Sequence, residues 1–297
     1  MNQPPIGEIN IHMVQELVIS QFPKWSELEI TPVAKSGRNN RMFHLGRKML
    51  VRLPSAPGYE HQVKKEQEWL PKLAPQLSMA IPKPLALGRP TELYRLNWSI
   101  YQWIEGENAE TLDSTFYNEF AVDIAEFLNQ LASLDSSDGP IPDRSYRGAP
   151  VIFYNDETLS NLSKLKGLID ADFGREIWEE AIGNQWKNKP VWLHGDFSPG
   201  NILVKDNRLT AVIDFGCMAV GDPSCDLVIA WTMLNKESRK LFRNHLSYDS
   251  DTWARARGWA LWKALFELDL LKDKQSPEAM EEIRRIEEIF SDYQNQA

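Results

Sequence analysis

Cysteine is almost missing from this chain: Cys217 and Cys225 are the only two in 297 residues. That excludes a disulfide-stapled scaffold and makes a reducing, cytoplasmic compartment the expected location. Long apolar runs are missing too. No stretch of ~18 uncharged apolar residues occurs, so no membrane-spanning helix is expected. The opening residues, MNQPPIGEINIHMVQ, carry no basic start and no extended apolar segment, so a secretory leader is not expected either. Internal repeats and low-complexity tracts are absent. What remains is ordinary globular chemistry, with 42% hydrophobic and 25% charged residues. The length suits one large domain or two modest ones and can build a core without staples.

The net charge of −9 is unevenly placed. Residues 1–104 hold 13 basic against 8 acidic side chains, and residues 105–297 hold 20 against 34. An acidic second half argues against nucleic acid as a partner and would concentrate a cationic ligand. A solvated acidic surface accounts for the same numbers.

The chain changes character near residue 104. Ile11–Phe22 has apolar residues at helical spacing. Strands are expected over Leu28–Ala34, Arg41–Leu45 and Lys48–Leu53, with Gly46-Arg47 as a tight turn. A charged helix, Tyr59–Leu73, follows, then an extended connection from Ile81 and a strand from Trp98 to Ile104. Beyond that, helices are expected over Phe116–Leu134, Leu159–Ile169, Arg175–Trp186, Trp253–Leu271 and Pro277–Tyr293. They surround a compact strand–loop–strand unit, Val191–Ile213. Strands followed by helices give an α+β class in two lobes, 1–104 and 105–297, with a hinge at 102–107.

The strand–loop–strand unit carries the chemistry. An apolar strand, Val191–Leu193, delivers His194-Gly195-Asp196; a loop with Pro199 and Gly200 places Asn201; the chain returns as a strand, Ile202–Val204, turns at Lys205–Arg208, and pairs back as Leu209–Ile213, which ends in Asp214-Phe215-Gly216. Acids at the ends of dry strands need a reason, because a buried unpaired carboxylate costs several kcal/mol. Phosphoryl transfer supplies one: a carboxylate takes the acceptor's hydroxyl proton, while a second acid and an amide oxygen hold Mg²⁺ on the polyphosphate. The five-residue step from Asp196 to Asn201 and the later D-F-G fit that template. A hairpin with surface turn acids would explain either half alone, but not both together. A hydrolase built on Ser198 and His194 lacks an orienting acid and nucleophile-elbow glycines.

The same template asks the first lobe for a turn over the nucleotide and a cation for its phosphates. Ser36 and Gly37 lie in the turn between two strands, and its backbone amides can approach phosphate. Arg52, in an otherwise apolar strand, is expected to pair with Glu66 of the next helix and position phosphate. Backbone groups of Gln102, Trp103 and Ile104 can read an adenine edge, although core packing explains Trp103 as well.

With these residues the chain resembles the aminoglycoside phosphotransferases and the wider group of small-molecule kinases with a protein-kinase-like two-lobed fold. The carriers are His194-Gly195-Asp196 with Asn201, Asp214-Phe215-Gly216, Gly221-Asp222-Pro223-Ser224-Cys225-Asp226-Leu227, Val51-Arg52-Leu53-Pro54, Glu66 and Trp98–Gly106. The resemblance implies that Asp196 is the base, that Asn201 and Asp214 bind Mg²⁺, and that ATP or GTP is the donor. It implies that His194 and Asp226 brace the catalytic loop. Two departures stand out: Arg52 occupies a place where Lys is common, and the Ser36–Asn40 loop is poor in glycine.

In such enzymes the helical lobe presents the acceptor. Its acidity here points to a small, cationic acceptor, an aminoglycoside above others, with Glu267 and Asp269 as candidate contacts. Their alternative is a solvated helix face. Glu281, Glu282, Glu287 and Glu288 read as an outer stripe paired with Arg284 and Arg285. Macrolide, choline and homoserine kinases share the frame. A non-catalytic nucleotide-binding regulator is the reading from another class. No nucleic acid, membrane or obligate protein partner is expected.

Overall fold

The computed structural model describes residues 8–34, 39–142 and 147–295. The chain forms two compact units: Met1–Gly106 with Ala211–Gly216, and Glu107–Thr210 with Cys217–Ala297. The assignment of 211–216 to the first unit had no counterpart in the sequence reading.

The first unit is built on an antiparallel five-stranded sheet ordered β1-β2-β3-β5-β4. Its strands are β1 (Ile30–Pro32), β2 (Asn40–Leu45), β3 (Met49–Pro54), β4 (Pro84–Gly88) and β5 (Trp98–Gln102). Helix α1 (Ile11–Gln21) is capped by Asn10, whose side chain accepts from the Met13 amide at 3.0 Å. Its buried Val14, Leu17 and Val18 share a core with Phe43, Leu45, Val51, Leu53, Trp98 and Ile100. Gly46 takes φ +60° in the β2–β3 turn, where a side chain would be strained. Strand periodicity sends Val51 and Leu53 to one face of β3 and Arg52 to the other. There Arg52 meets helix α2 (Glu60–Leu73). The segment after Ile81, expected as a plain connection, is the edge strand β4. An edge strand that starts on a proline loses no ladder bond, which is why Pro84 is tolerated there.

The second unit is mainly helical: α3 (Tyr117–Ser133), α4 (Asn155–Lys164), α5 (Ala171–Gly183), α6 (Ile229–Thr232), α7 (Lys236–His245), α8 (Ser250–Leu270) and α9 (Pro277–Gln294). Helices α4 and α5 begin earlier than the sequence pattern suggested. Gly167, at φ +96°, lies in the connection between them, and Asp170 caps α5 by accepting from the Phe173 amide at 3.0 Å. Helix α8 is buried on nearly all sides, so its sequence shows no single apolar stripe. Its buried Arg255 is neutralised inside by pairing with Asp222 at 2.7 Å, which makes Asp222 a structural acid. Glu288 does not join the expected outer stripe, because it pairs with the buried Arg239; Glu281 and Glu282 do pair with Arg284 and Arg285.

Three short strands position the motif. β7 (Val191–Leu193) pairs with β10 (Ala219–Gly221), and β8 (Ile202–Lys205) lies between β6 (Glu107–Asn108) and β9 (Arg208–Val212).

Candidate active site

In the second unit, β7 ends at Leu193 and the chain turns sharply through Gly195, at φ +84°. A Cβ there would lie 2.3 Å from the Cys217 carbonyl oxygen, so both backbone angle and space demand glycine. Asp226, only 2% exposed, accepts from the amides of His194 at 2.6 Å and Gly195 at 2.8 Å. Burial pushes the Asp226 carboxyl up; the His194 side chain and the two amide hydrogen bonds pull it back. His194 is fully buried, and its Nδ1 accepts from the Asp196 amide at 3.2 Å. His194 and Asp226 thus fix the turn that presents Asp196.

The Asp196 side chain is 42% exposed. The Asn201 Nδ2 donates to the Asp196 carbonyl at 2.9 Å and to its Oδ2 at 3.2 Å. With the amide nitrogen committed, the Asn201 oxygen is the atom able to meet a cation. A pocket beside Asp196 is lined by Arg147, Gly195, Phe197, Cys225, Val228, Trp259, Trp262 and Lys263. The Lys263 Nζ lies 4.0 Å from Asp196 Oδ1. Burial raises the Cys225 thiol well above its ordinary range, so it lines the pocket as an inert neutral group.

In the first unit, the Arg52 Nη1 donates to both Glu66 oxygens at 2.8 Å, and Nη2 reaches Asp214. Tyr101 Oη donates to Glu66 Oε2 at 2.6 Å. With the Asn40 amide oxygen turned toward it, Asn40 accepts from Nε and Nη2 at 3.0 and 2.8 Å. The guanidinium therefore has oxygen neighbours on every edge. Burial opposes its charge, but Glu66 and Asp214 outweigh that and hold it protonated. Asp214 sits at φ +61°, a conformation Asp tolerates better than most residues. Its side chain is 40% exposed, so the carboxylate is open to solvent despite its bond to Arg52.

The remaining expectations fare differently. Ser36 and Gly37 lie outside the described residues. The amides of Gln102 and Trp103 are spent on the carbonyls of Lys83 and Lys48, at 2.9 and 2.8 Å. Among the described residues, Ile104 is the one of the three whose amide makes no backbone hydrogen bond. The Trp103 ring packs on His44, with centroids 4.3 Å apart. Asp269 is paired with Lys164 at 2.7 Å, and Glu267 lines a separate pocket with Lys263, Glu282 and Arg285. Neither lines the pocket beside Asp196. Sequence reasoning missed Arg147 and Lys263. Lys263 was findable, because it follows Trp259 by one helical turn; Arg147 lies in a Pro/Gly/Ser loop with no periodic signal.

The model of the phosphotransferase enzyme family matches residues 29–259. The chain belongs to this family. It is a small-molecule phosphotransferase acting on an alcohol group, and its fold is the α+β, two-lobed, protein-kinase-like class. Among solved structures, the GDP and kanamycin complex of APH(2")-IIia shares 18% identity at a TM-score of 0.71, covering 95% of this chain and 99% of that one. The gentamicin–APH(2")-IIa complex shares 20% at 0.62, covering 95% and 99%. Apo macrolide 2'-phosphotransferase MphH from Brachybacterium faecium shares 19% at 0.60, covering 93% and 97%. At such identities the likeness is one of fold. No curated protein sequence matches the chain. No helix among the described residues is long and apolar enough to cross a membrane.

Proposed function

We propose that this phosphotransferase moves the γ-phosphoryl group of ATP or GTP to a hydroxyl of a small molecule, with Asp196 as the base. The observation that carries the reading is the presentation of Asp196: a half-open carboxylate on a turn that Gly195, His194 and Asp226 hold rigidly. Phosphoryl transfer draws its acceleration mainly from positioning and charge stabilisation, which rigid presentation serves. The acceptor oxygen bonds to the γ-phosphorus while its proton passes to a carboxylate oxygen of Asp196. The bond from that phosphorus to the β–γ bridging oxygen breaks, and its electrons leave with the nucleoside diphosphate.

Asn201 and Asp214 are the residues that would hold Mg²⁺. An amide oxygen and a carboxylate are hard donors, and so small a set suits an ion that keeps waters and shares substrate phosphates. Among the described residues no group of three or more His, Cys, Asp or Glu side chains could hold a metal ion. Bound there, Mg²⁺ would neutralise charge on the polyphosphate. Arg52 and Glu66 are the nucleotide-side pair. Because the guanidinium is fully engaged, a phosphate reaching it must replace an existing oxygen neighbour. Ser36, Gly37, Gln102, Trp103 and Ile104 remain the proposed surroundings of the nucleotide, with the Ile104 amide as the free donor.

An aminoglycoside acceptor has two supports, the acidic second half and the kanamycin and gentamicin held by the neighbours. Against it, the flanks of Asp196 carry Arg147 and Lys263 rather than Glu267 and Asp269. The test of the base is Asp196→Asn, followed by nucleotide consumption with Mg²⁺ and a panel of hydroxylated acceptors. We expect kcat to fall about 10²–10⁴-fold with nucleotide affinity kept; an unchanged kcat would falsify the assignment.

A further inference from the structure

We infer that the pocket beside Asp196 takes an acceptor bearing an oxyanion, a carboxylate or a phosphate ester, which docks on the N–H donors of Arg147. This rests on the reading of Asp196 as the group that receives the acceptor hydroxyl. Arg147 is half-buried, and aromatic rings hold it in place: its guanidinium carbon lies 4.6 Å from the Trp262 ring centroid and 5.2 Å from that of Trp259. A cation–π contact holds a guanidinium without spending its N–H donors on a hydrogen-bond acceptor. Among the described residues Arg147 forms neither a hydrogen bond nor an ion pair.

The acids nearby are committed elsewhere. Asp226 is taken by two backbone amides, and Glu157 accepts from the Trp262 indole at 2.6 Å. Among the described lining residues the one carboxylate is Asp196 itself, and Lys263 stands 4.0 Å from it. The pocket therefore carries two cations against one acid, although the unit around it is acidic. A polyamine would enter against Arg147 and Lys263. An oxyanion would satisfy the unspent donors of Arg147, and Lys263 would offset the repulsion from Asp196.

The test uses four probes with similar hydroxyls and different charge: D-glucuronate, D-glucose 6-phosphate, D-glucose and D-glucosamine. Binding to the whole protein is followed by tryptophan emission, since Trp259 and Trp262 adjoin Arg147. We expect the anionic probes to bind at least about tenfold tighter than the neutral and cationic ones, as a charge-assisted hydrogen bond provides. The ratio of glucuronate to glucose 6-phosphate distinguishes a carboxylate site from a phosphate site. Arg147→Met keeps the aliphatic stem over the rings and should erase the preference, while Arg147→Lys should keep part of it; melting temperatures of both report folding. Glucosamine binding as tightly as glucuronate, a preference that survives in a folded Arg147→Met, or no probe binding at all would overturn the inference.

Turnover adds an independent arm. For an oxyanion-bearing acceptor that is phosphorylated, Arg147→Met should raise KM about 10- to 100-fold and change kcat far less. A polycationic acceptor used best, with KM unmoved by that variant, would also overturn it. These outcomes are separate from the base assignment, which Asp196→Asn decides by kcat alone.

Discussion

Glu66→Ala should be among the most damaging single changes in the first unit. Glu66 is 1% exposed and carries both the Arg52 pair and the Tyr101 hydroxyl. Removing one member of a buried ion pair costs about 3–5 kcal/mol, because the other charge stays behind in a place of low polarity. The orphaned Tyr101 hydroxyl adds about 1 kcal/mol. Asp214 offsets part of this, since it still neutralises Arg52 and is itself partly solvated. The net expectation is a loss of about 3–4 kcal/mol in urea unfolding, a large share of a typical total of about 5–15 kcal/mol. Replacing both partners, Arg52→Met with Glu66→Leu, removes the stranded charge and should recover at least half of that loss without restoring nucleotide-dependent activity. A Glu66→Ala loss under about 1 kcal/mol would refute the account of a desolvated, mutually dependent pair.

Two further outcomes follow from local geometry. Gly195→Ala must place a methyl 2.3 Å from the Cys217 carbonyl at φ +84°, so we expect at least ~2 kcal/mol lost in unfolding and a kcat reduced beyond what the remaining folded fraction explains. Asp249 caps α8 by accepting from the Thr252 amide at 2.8 Å, and Asp249→Ala should cost about 1 kcal/mol at neutral pH. The Thr252 hydroxyl and amide hold the Asp249 carboxyl below its usual 3.8, so that contribution is present above pH 3.8 and is lost as pH falls through the lowered value. Wild type and variant stability curves should therefore converge toward acid pH.

The order of elements was legible because it rests on periodicity, and a candidate site could be named because its residues cluster in sequence. His194, Asp196 and Asn201 fall within one strand–loop–strand unit that Asp214 directly follows, and Arg52 was conspicuous as a cation in an apolar strand. The Arg52–Glu66 pair could be foreseen from alternation on β3 and its nearness to α2. What could not be read were choices made by distant packing. Nothing local says that Asp269 turns to Lys164, 105 residues away, or that Glu288 reaches Arg239. Helix α8 hid its role for a related reason: buried on nearly every side, it offers no stripe from which a facing direction can be inferred. Arg147 was invisible because its position depends on two indoles more than 100 residues further on.

Helix α8 has an evolutionary corollary. Along one continuous rod it carries Arg255, which anchors the interior, then Trp259, Trp262 and Lys263, which line the pocket. Substitutions at those last three places would swap the chemistry offered to an incoming molecule while the main chain, and the turn that aims Asp196, stay as they are. A lineage could thus drift from one class of metabolite to another by point replacement, with no loop remodelling and no loss of the phosphoryl-transfer apparatus.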